Sequence, residues 1–590
     1  MRKCSKKLLA ILMAAAMTCG LAACGGSDGG KESSSAPAEE SKAEESSDAG
    51  EESDSGAEGE SGEESGGSDS SAASAYGRIS EEEITLKLVG PQPSGLEDWK
   101  NLAVVEEYAS RLGIRLDCEF YQTDWATQRT LVIADDRVPD LIWDVGGIGD
   151  VNKWGADGYF LNLKDYIDLM PNMQKTFEEF PDLEAFVTAS DGSIYGLAGV
   201  RVDLTDRLSR TYINRNWLEN LNLQVPATLD ELYDMLKAFK EQDANGNGDP
   251  NDEVPMLYGA GYEAVENAIM NGFGINMGGV GSPGLLWEAD DNGKVYLVNT
   301  SDTYKEYLRY MNKLFSEGLI EQEAYTLTSD EVTNKAQADA YGMMGCGSAP
   351  FVMANKGIEY DANWVGVAGL TSEFHSEKTA PMSSAVDNGI KIAIGADTEY
   401  PEEAVKFLDY FYTEEGKLAS NRGYEGVTFD FVHDEDLDFE NPQMRCPEGY
   451  ASDEEFRYKG AVFNGTFNLY EVTAVRGALF DVPVDTLLKD SVIETYGWAA
   501  LTAYANRQDG IEFIDMYPRI AYTTEEADAR LTLYNDINNY LSTTKAQFFT
   551  GELDVDADWD NYVSTVEQMK LADLMAIEQG AYDRYLSVVQ

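Results

Sequence analysis

The stretch Asp243–Glu253 reads Asp-Ala-Asn-Gly-Asn-Gly-Asp-Pro-Asn-Asp-Glu, with oxygen-bearing side chains at alternate positions in its first half. Hard cations such as calcium bind several oxygens of one compact loop, and an EF-hand loop supplies them at positions 1, 3, 5, 7, 9 and 12, with glycine at 6. Counted from Asp243, positions 1, 3, 5 and 6 match, whereas Asp252 and Glu253 fall at 10 and 11. Pro255 then begins an apolar run where a second EF-hand helix would start. The pattern predicts a calcium loop on one helix end; a polar turn without metal is the alternative.

The charge of the chain is strongly acidic. Its 590 residues contain 44 Lys+Arg and 106 Asp+Glu, for a net charge of −62, while a hydrophobic content of 43% is enough for more than one domain-sized core. Such a field repels nucleic acids and anionic lipids, so we expect no nucleic-acid partner. It also disfavours a strongly anionic ligand, unless a local basic site or a bridging cation offsets it.

Cysteine and histidine are too sparse for several kinds of catalytic or metal site. Three of the six cysteines are in the N-terminal leader, and Cys118, Cys346 and Cys446 stand singly, which is neither a disulfide framework nor a CxxC metal pattern. His375 and His433 are the only histidines. A histidine-based catalytic triad or a zinc site is therefore not expected.

The N-terminus has the features of a secretory leader. A basic segment, residues 1–7, precedes a short apolar run that ends in small residues, so we predict a signal peptide over residues 1–23. Leu21-Ala-Ala-Cys24-Gly resembles the lipobox of bacterial lipoproteins, which implies cleavage before Cys24 and acylation of this cysteine; ordinary secretion is the alternative. Residues 25–80 hold 15 acidic and 3 basic residues and few apolar ones. Residues 24–81 are therefore predicted to be a disordered, acidic Gly/Ser/Glu tether.

The folded part begins with alternating strands and helices. Alternation predicts strands at residues 84–89, 114–121 and 139–145, with helices between them, which is a parallel α/β unit. In such sheets, ligands lie beyond the carboxyl ends of the strands. Polar and aromatic candidates for ligand contact follow each predicted strand: Gln92, Trp99, Gln122, Asp124, Trp125 and Trp143.

Later segments are mainly helical. A capping box at Thr228 opens an amphipathic helix that leads directly into Asp243. A strand is predicted at residues 389–394, a helix begins at Pro401, and from about Thr523 the chain is mainly helical.

Several segments, taken in order, resemble the extracellular solute-binding proteins of ABC importers, in particular the large lipoprotein branch that binds oligosaccharides and includes alginate-binding proteins. The matching stretches are residues 134–142, 157–163, 191–196, 212–217, 243–255, 317–320, 410–416, 425–427, 548–552, 559 and 581–585. The resemblance implies a two-lobe, periplasmic-binding-protein-like α/β fold with a hinge and a C-terminal helical part. We expect lobe 1 over about 82–200 and 390–500, and lobe 2 over about 201–389 and 501–590.

The resemblance also implies a function. The protein would be a monomeric, non-enzymatic lipoprotein on the extracellular face of the bacterial cytoplasmic membrane, held there only by its lipid anchor. It would capture a carbohydrate, most simply an oligosaccharide, between its lobes and deliver it to a membrane permease. A peptide or other solute, a surface adhesin and a glycan-active enzyme are the alternatives.

In alginate-binding proteins the corresponding loop holds structural Ca²⁺. The resemblance implies that this loop does the same, although one extra residue precedes the acidic pair at its end. The implied ligands are Asp243, Asn245, Asn247, Asp249 through its backbone carbonyl, Asp252 and Glu253.

Five further residues are weaker candidates for ligand contact. Arg201 and Asp203 follow the expected first crossing between the lobes, Arg422 and Tyr424 follow a helix of lobe 1, and Trp287 lies in a glycine-rich part of lobe 2. The first four could equally form a salt bridge between the lobes or lie exposed. Each of the candidate tryptophans, Trp99, Trp125, Trp143 and Trp287, could instead be a core residue.

Overall fold

The computed structural model describes residues 76–93, 96, 99–135, 137–279, 284–347, 362–450, 453–463, 466–471 and 479–589. The predicted signal peptide, Cys24 and the tether up to residue 75 lie outside the described residues. Within the described part, none of the helices is long and apolar enough to cross a membrane.

The strands are short, apart from those of the first sheet. They are β1 (Ile84–Pro91), β2 (Ile114–Tyr121), β3 (Leu141–Gly146), β4 (Val200–Arg201), β5 (Thr211–Asn214), β6 (Trp287–Ala289), β7 (Val295–Leu297), β8 (Met343–Gly345), β9 (Trp364–Gly366), β10 (Thr379–Met382), β11 (Ile390–Ile394), β12 (Phe429–Asp434), β13 (Phe439–Met444), β14 (Tyr470–Glu471) and β15 (Glu512–Asp515).

The α-helices lie between these strands and form the C-terminal part. They are Ala103–Glu107, Trp125–Ile133, Ile148–Ala156, Pro171–Glu179, Pro181–Val187, Leu204–Arg207, Arg215–Leu221, Leu229–Glu241, Glu266–Asn271, Asp302–Ser316, Ser329–Gln337, Pro401–Tyr410, Glu414–Asn421, Asp453–Phe456, Val484–Leu487, Asp490–Tyr496, Trp498–Asn506, Thr524–Thr550, Val555–Gln568 and Leu571–Val589. The helical C-terminal part that the sequence predicts from about residue 523 is confirmed.

The first sheet has the strand order β11-β3-β1-β2. β1 is parallel to both β2 and β3, and β11 is antiparallel to β3. Along β1, Leu86 and Leu88 are fully buried while Thr85 and Lys87 are exposed, which is the alternation that predicts this strand. The carboxyl ends of β1, β2 and β3 therefore meet at one edge of the sheet, as the parallel α/β pattern requires.

Two large apolar cores define two lobes. Lobe 1 is built around a core formed by residues 86–200 and 386–470. Lobe 2 is built around a core formed mainly by residues 213–370 and 537–574. Residues 479–503 supply most of a smaller cluster, and Ile493 and Leu501 pack in another with Tyr212 and Trp364 of the lobe 2 side. The boundaries expected near residues 200, 389 and 500 stay a prediction.

The chain passes between the two cores in segments that pair with one another. In the first crossing, β4 is parallel to β14, and Val200 also bridges Val386 of the second crossing. In the second crossing, β10 is parallel to β15. These short pairings hold the crossing segments side by side, which suits a hinge that bends at only a few residues.

The described chain begins on lobe 1. The Tyr76 hydroxyl donates to Asp409 Oδ2 at 3.3 Å, and its ring meets the ring of Tyr410 edge-on at 5.8 Å between centroids. Asp409 is fully buried, and its Oδ1 also accepts the backbone N–H groups of Asn172 and Met173 at 3.0 and 2.8 Å. Tyr76 is thus attached to a hydrogen-bonded group inside lobe 1.

A fully buried acidic side chain, that of Glu266, packs inside lobe 2. Its Oε1 accepts Lys545 Nζ at 2.8 Å. Its Oε2 accepts the hydroxyl of Tyr258 at 3.4 Å and that of Tyr307. This cluster joins the helix Glu266–Asn271 to the helices Asp302–Ser316 and Thr524–Thr550.

Candidate functional site

A cleft of about 830 Å³ opens where the crossing segments meet lobe 1. Lobe 1 contributes Trp143, Asp144 and residues 146–149 at the end of β3. The crossings contribute Arg201 and residues 386–391, and the segment after β15 contributes Arg519, Ile520 and Tyr522. Clefts of this size between lobes are typical ligand sites, because closure can surround the ligand on several sides.

The lobe 1 wall is set by the end of β3. Trp143 packs edge-on against Phe120 of β2, with 6.3 Å between ring centroids, and lies against Gly90 of β1, where an added Cβ would be 3.0 Å from the Trp143 Cβ. Trp125 Nε1 donates to the backbone oxygen of Asp144 at 2.8 Å. The structure thus brings Trp125 and Trp143 together at the sheet edge where the sequence predicts them, and Trp143 lines the cleft.

The other candidates near this edge lie outside the cleft lining. The side-chain amide of Gln92 donates to the backbone oxygen of Leu96, and Trp99 is half-buried against the lobe 1 core. Gln122 and Asp124 are exposed in the turn before the helix that begins at Trp125. Their contact with a ligand stays a prediction.

The remaining candidates are spread over the molecule. Asp203 is buried at the start of the helix Leu204–Arg207, and Trp287 packs in β6 against lobe 2. Tyr424 is a lobe 1 core residue whose hydroxyl lies 3.0 Å from that of Tyr410, and Arg422 lies half-buried just before it. Of the five weaker candidates, only Arg201 lines the cleft.

Ion pairs connect the crossing segments at the cleft. Asp387 accepts Arg201 Nε at 2.7 Å through Oδ1 and Lys391 Nζ at 2.9 Å through Oδ2. Arg201 Nε also lies 3.4 Å from Glu471 of β14. A single carboxylate, that of Asp387, therefore joins the first and second crossings.

The pKa of Asp387 follows from these contacts. Burial alone would raise it, but Lys391 and Arg201 outweigh burial and hold the pKa below its ordinary value of 3.8. The unfolded chain then binds a proton at higher pH than the folded chain does. The ionised network consequently stabilises the fold above about pH 4 and loses this effect as pH falls through the folded pKa.

We expect Asp387→Asn to lower the free energy of unfolding by about 1–2 kcal/mol at neutral pH, since Arg201 is half-exposed and its pairing is partly screened. The difference from wild type should be constant between about pH 5 and 7 and shrink below about pH 4. Urea unfolding across this pH range measures the difference in the free energy of unfolding.

Asp515→Asn, at an exposed carboxylate beside Arg207, is the matched control with little expected effect. A loss that does not change with pH would contradict the assignment to the ionised network.

The sequence reasoning missed the segment after β15. Tyr522 lines the cleft, and its hydroxyl donates to Glu578 Oε2 at 2.6 Å. Arg530 Nε donates to the other oxygen of Glu578 at 2.6 Å, and its guanidinium lies 4.6 Å from the centre of the Tyr522 ring. The capping box Thr523–Glu526 was the available signal, because it marks Thr523 as a helix N-cap and Tyr522 as the residue just before it.

The loop after the helix Leu229–Glu241 is held together by hydrogen bonds to its own side-chain oxygens. Backbone N–H groups donate to side-chain oxygens of the loop, among them Gly248 to Asp243 at 2.9 Å, Asn247 to Asn245 at 3.0 Å, and Asp249 to Asn247 at 2.8 Å. The carboxylate of Asp252 accepts the side-chain amides of Asn245 and Asn247 at 3.3 and 2.7 Å. The loop is compact, and the displaced Asp252 is folded back into it.

Two carboxylate oxygens of the loop are buried without a donor among the described residues: Asp243 Oδ1 and Glu253 Oε2. The other oxygen of Glu253 accepts the backbone N–H of Ala244 at 2.9 Å, and burial raises the pKa of this carboxyl. Buried carboxylate oxygens need a donor or a cation. In the described part of the chain, no three His, Cys, Asp or Glu side chains form a metal cluster, so the Asn oxygens would have to complete the site. The donor set, all oxygen, suits calcium.

Comparison with known proteins identifies relatives along most of the chain. The model of the family described as "Bacterial extracellular solute-binding protein" matches residues 103–418. The fructooligosaccharide ABC transporter substrate-binding protein FusA of Streptococcus pneumoniae serotype 4 is 27% identical over 516 residues, which are 86% of this chain and 91% of the relative.

Solved structures agree in fold. The structure of FusA in complex with kestose is 25% identical, with a TM-score of 0.62, and the match covers 85% of this chain and all of that one. An HMO-binding, ABC-transporter-associated protein of Bifidobacterium longum infantis has a TM-score of 0.67 at 20% identity over 85% and 99% of the two chains. The alginate-binding protein AlgQ2, solved without calcium ion, has a TM-score of 0.59 at 19% identity over 86% and 99%. The fold is the two-lobe α/β fold of periplasmic-binding proteins, and the chain belongs to the bacterial extracellular solute-binding protein family.

Proposed function

We propose that this protein is the substrate-binding lipoprotein of an ABC importer, which captures an extracellular oligosaccharide and delivers it to a membrane permease. Membership of the extracellular solute-binding family supports capture of a solute. The relative that matches over 91% of its own length is named for a fructooligosaccharide, which supports a carbohydrate as the class of ligand.

The observation that carries this proposal is the cleft at the crossing segments. Sugars present C–H faces that pack on aromatic rings and hydroxyl groups that need oriented donors and acceptors. Trp143 and Tyr522 supply rings in the cleft, while Asp144, Asn388 and Arg519 supply polar groups. Because the walls come from lobe 1 and from segments that cross to lobe 2, closure would bring both kinds of group onto one ligand.

The attachment to the membrane is a further part of the proposal. Cys24 would carry the lipid, with palmitate among its acyl groups, and the acidic tether would separate the lobes from the membrane. The protein would remain a monomer that contacts the membrane only through this anchor and binds no nucleic acid.

We also propose that the loop Asp243–Glu253 holds a structural Ca²⁺. The side chains of Asp243, Asn245, Asn247, Asp252 and Glu253, with Asp249 through its backbone carbonyl, would bind it. The ion would compensate the two buried carboxylate oxygens that lack a donor. Its contribution would be to stability, because none of these residues lines the cleft.

We propose binding without catalysis. Glycosidases need two carboxylates at a defined separation across the scissile bond. Asp387 in the cleft is already paired with Arg201 and Lys391, which leaves it unsuited to act as a proton donor at neutral pH. A surface adhesin would share the anchor and tether, but the cleft at crossing segments favours capture and delivery.

A thermal-shift screen of the full chain, purified in detergent, against an oligosaccharide panel tests the proposal. A bound sugar should raise Tm, since a ligand that binds only the native state at 100 times its Kd adds about 2.7 kcal/mol. Peptide mixtures form the control arm. The proposal is wrong if peptides but no sugars raise Tm, and new reducing ends after incubation would show an enzyme instead.

A further inference from the structure

Not every charged side chain of the cleft has a partner of opposite charge among the described residues. Asp387 is shared by Arg201 and Lys391, and Asp206 is paired with Arg210. Arg519 also lines the cleft, and among the residues that the structure describes it has no hydrogen bond or ion pair. The carboxylate whose charge acts on Arg519 is that of Asp387, which already binds two cations.

Among the described residues, Arg519 is thus a cation without a counter-ion of its own, in a chain with 106 acidic and 44 basic residues. Its side chain reaches solvent in the cleft. Neighbouring segments nevertheless desolvate part of the guanidinium and lower its pKa; Arg201 adds to this, and Asp387 offsets it only in part. A guanidinium in such a place is stabilised most by an anion that arrives with the ligand.

The chemistry of the guanidinium limits the kinds of anion that would bind to it. Arginine presents a planar fork of N–H donors that matches the two oxygens of a carboxylate. The overall charge of −62 disfavours ligands of high negative charge density, such as multiply sulfated or phosphorylated sugars. One carboxylate per sugar ring is a weaker charge that a single local cation can offset.

Resting on the function proposed above, we propose that the cleft takes an oligosaccharide that bears carboxylates, an oligouronide, and that Arg519 binds one of these carboxylates. Trp143 and Tyr522 would pack on its rings, and Asp144, which makes no ion pair with the described residues, would accept its hydroxyl groups. The cleft would then distinguish an acidic sugar from its neutral counterpart by one charge-assisted contact.

Titration calorimetry with the full chain in detergent tests this. The probes are oligogalacturonides, oligoglucuronides and oligomannuronides, each beside its carboxyl-reduced neutral counterpart, with kestose as a further neutral sugar. At least one oligouronide should bind, and its reduced counterpart should bind about 10- to 100-fold more weakly, as expected for one hydrogen-bonded charge. Added salt should weaken the binding of the acidic sugars but not that of the neutral ones.

Variants identify the residue. Arg519→Gln should remove the preference for the acidic sugar without lowering Tm, because Arg519 makes no ion pair within the described protein, and Arg519→Lys should keep part of it. Arg137→Gln, at an exposed arginine paired with Glu399 outside the cleft, should behave as wild type. If neutral sugars bind as tightly as acidic ones, the inference is wrong while the proposed function stands; if no sugar of either kind binds, both are wrong.

Discussion

Replacing Glu266 by alanine should destabilise lobe 2 by about 3–5 kcal/mol, because it leaves the charge of Lys545 without its partner in the core. Glu266 is fully buried and the Lys545 side chain is 15% exposed. The hydroxyls of Tyr258 and Tyr307 would lose their acceptor in the same change. Urea unfolding followed by tryptophan fluorescence measures the loss.

Two further variants separate the lost charge pair from the lost packing. The double variant Glu266→Leu, Lys545→Met replaces the ion pair by apolar groups of similar size and should recover the part of the loss that comes from the unpaired Lys545 charge. The hydroxyls of Tyr258 and Tyr307 still lack this acceptor, so the rest of the loss should remain. Arg309→Gln removes the surface pairs of Arg309 with Asp556 and Glu306 and should cost about 1 kcal/mol or less. If Glu266→Ala lowered stability no more than Arg309→Gln, the cluster would not support the core as argued.

Removing calcium should lower Tm, and this sensitivity should disappear in Asp243→Ala. At a free calcium concentration 100 times its Kd, a bound ion adds about 2.7 kcal/mol, all of which is lost with excess chelator. Asp243 is the first residue of the loop and carries one of the two buried oxygens without a donor. Differential scanning calorimetry with and without chelator, together with metal analysis of the purified protein, measures the effect.

Asp249 supplies the matched control for this loop. Its side chain accepts from Asn251 at the exposed rim, and the resemblance assigns it only a backbone oxygen as a ligand. Asp249→Ala should therefore keep most of the response to chelator. A wild-type Tm that does not change with chelator, in protein that carries no metal, would contradict the calcium assignment.

Local patterns predicted the elements of lobe 1 and of the calcium-type loop well. The alternation over Ile114–Tyr121 returned the observed bounds of β2, and the capping box at Thr228 placed the helix Leu229–Glu241. These features depend on residues that are close in sequence. The place of Trp143 at the edge of the sheet was predictable because the ends of parallel strands share one edge, which makes a local pattern informative about position in space.

Contacts between distant segments were not predictable in this way. The pairing of Tyr470 with Val200 depends on the whole fold, and so does the place of Arg519 beside Asp387. Tyr424 shows the converse, since an aromatic residue after a helix looks the same in sequence whether it faces a ligand or the core. Here it lies in the core, against Tyr410.

The attachment of Tyr76 to Asp409 and Tyr410 has a mechanical consequence. Tension on the chain that precedes Tyr76 enters the molecule at the helix Pro401–Tyr410, inside lobe 1. Lobe 2 receives this load through the crossing segments and through direct contacts with lobe 1, such as the hydrogen bond from the Tyr585 hydroxyl to Asp182 at 2.7 Å. If the N-terminus is held, lobe 1 becomes the fixed frame of reference and lobe 2 the part that swings, so closure can proceed without pulling against the point of attachment.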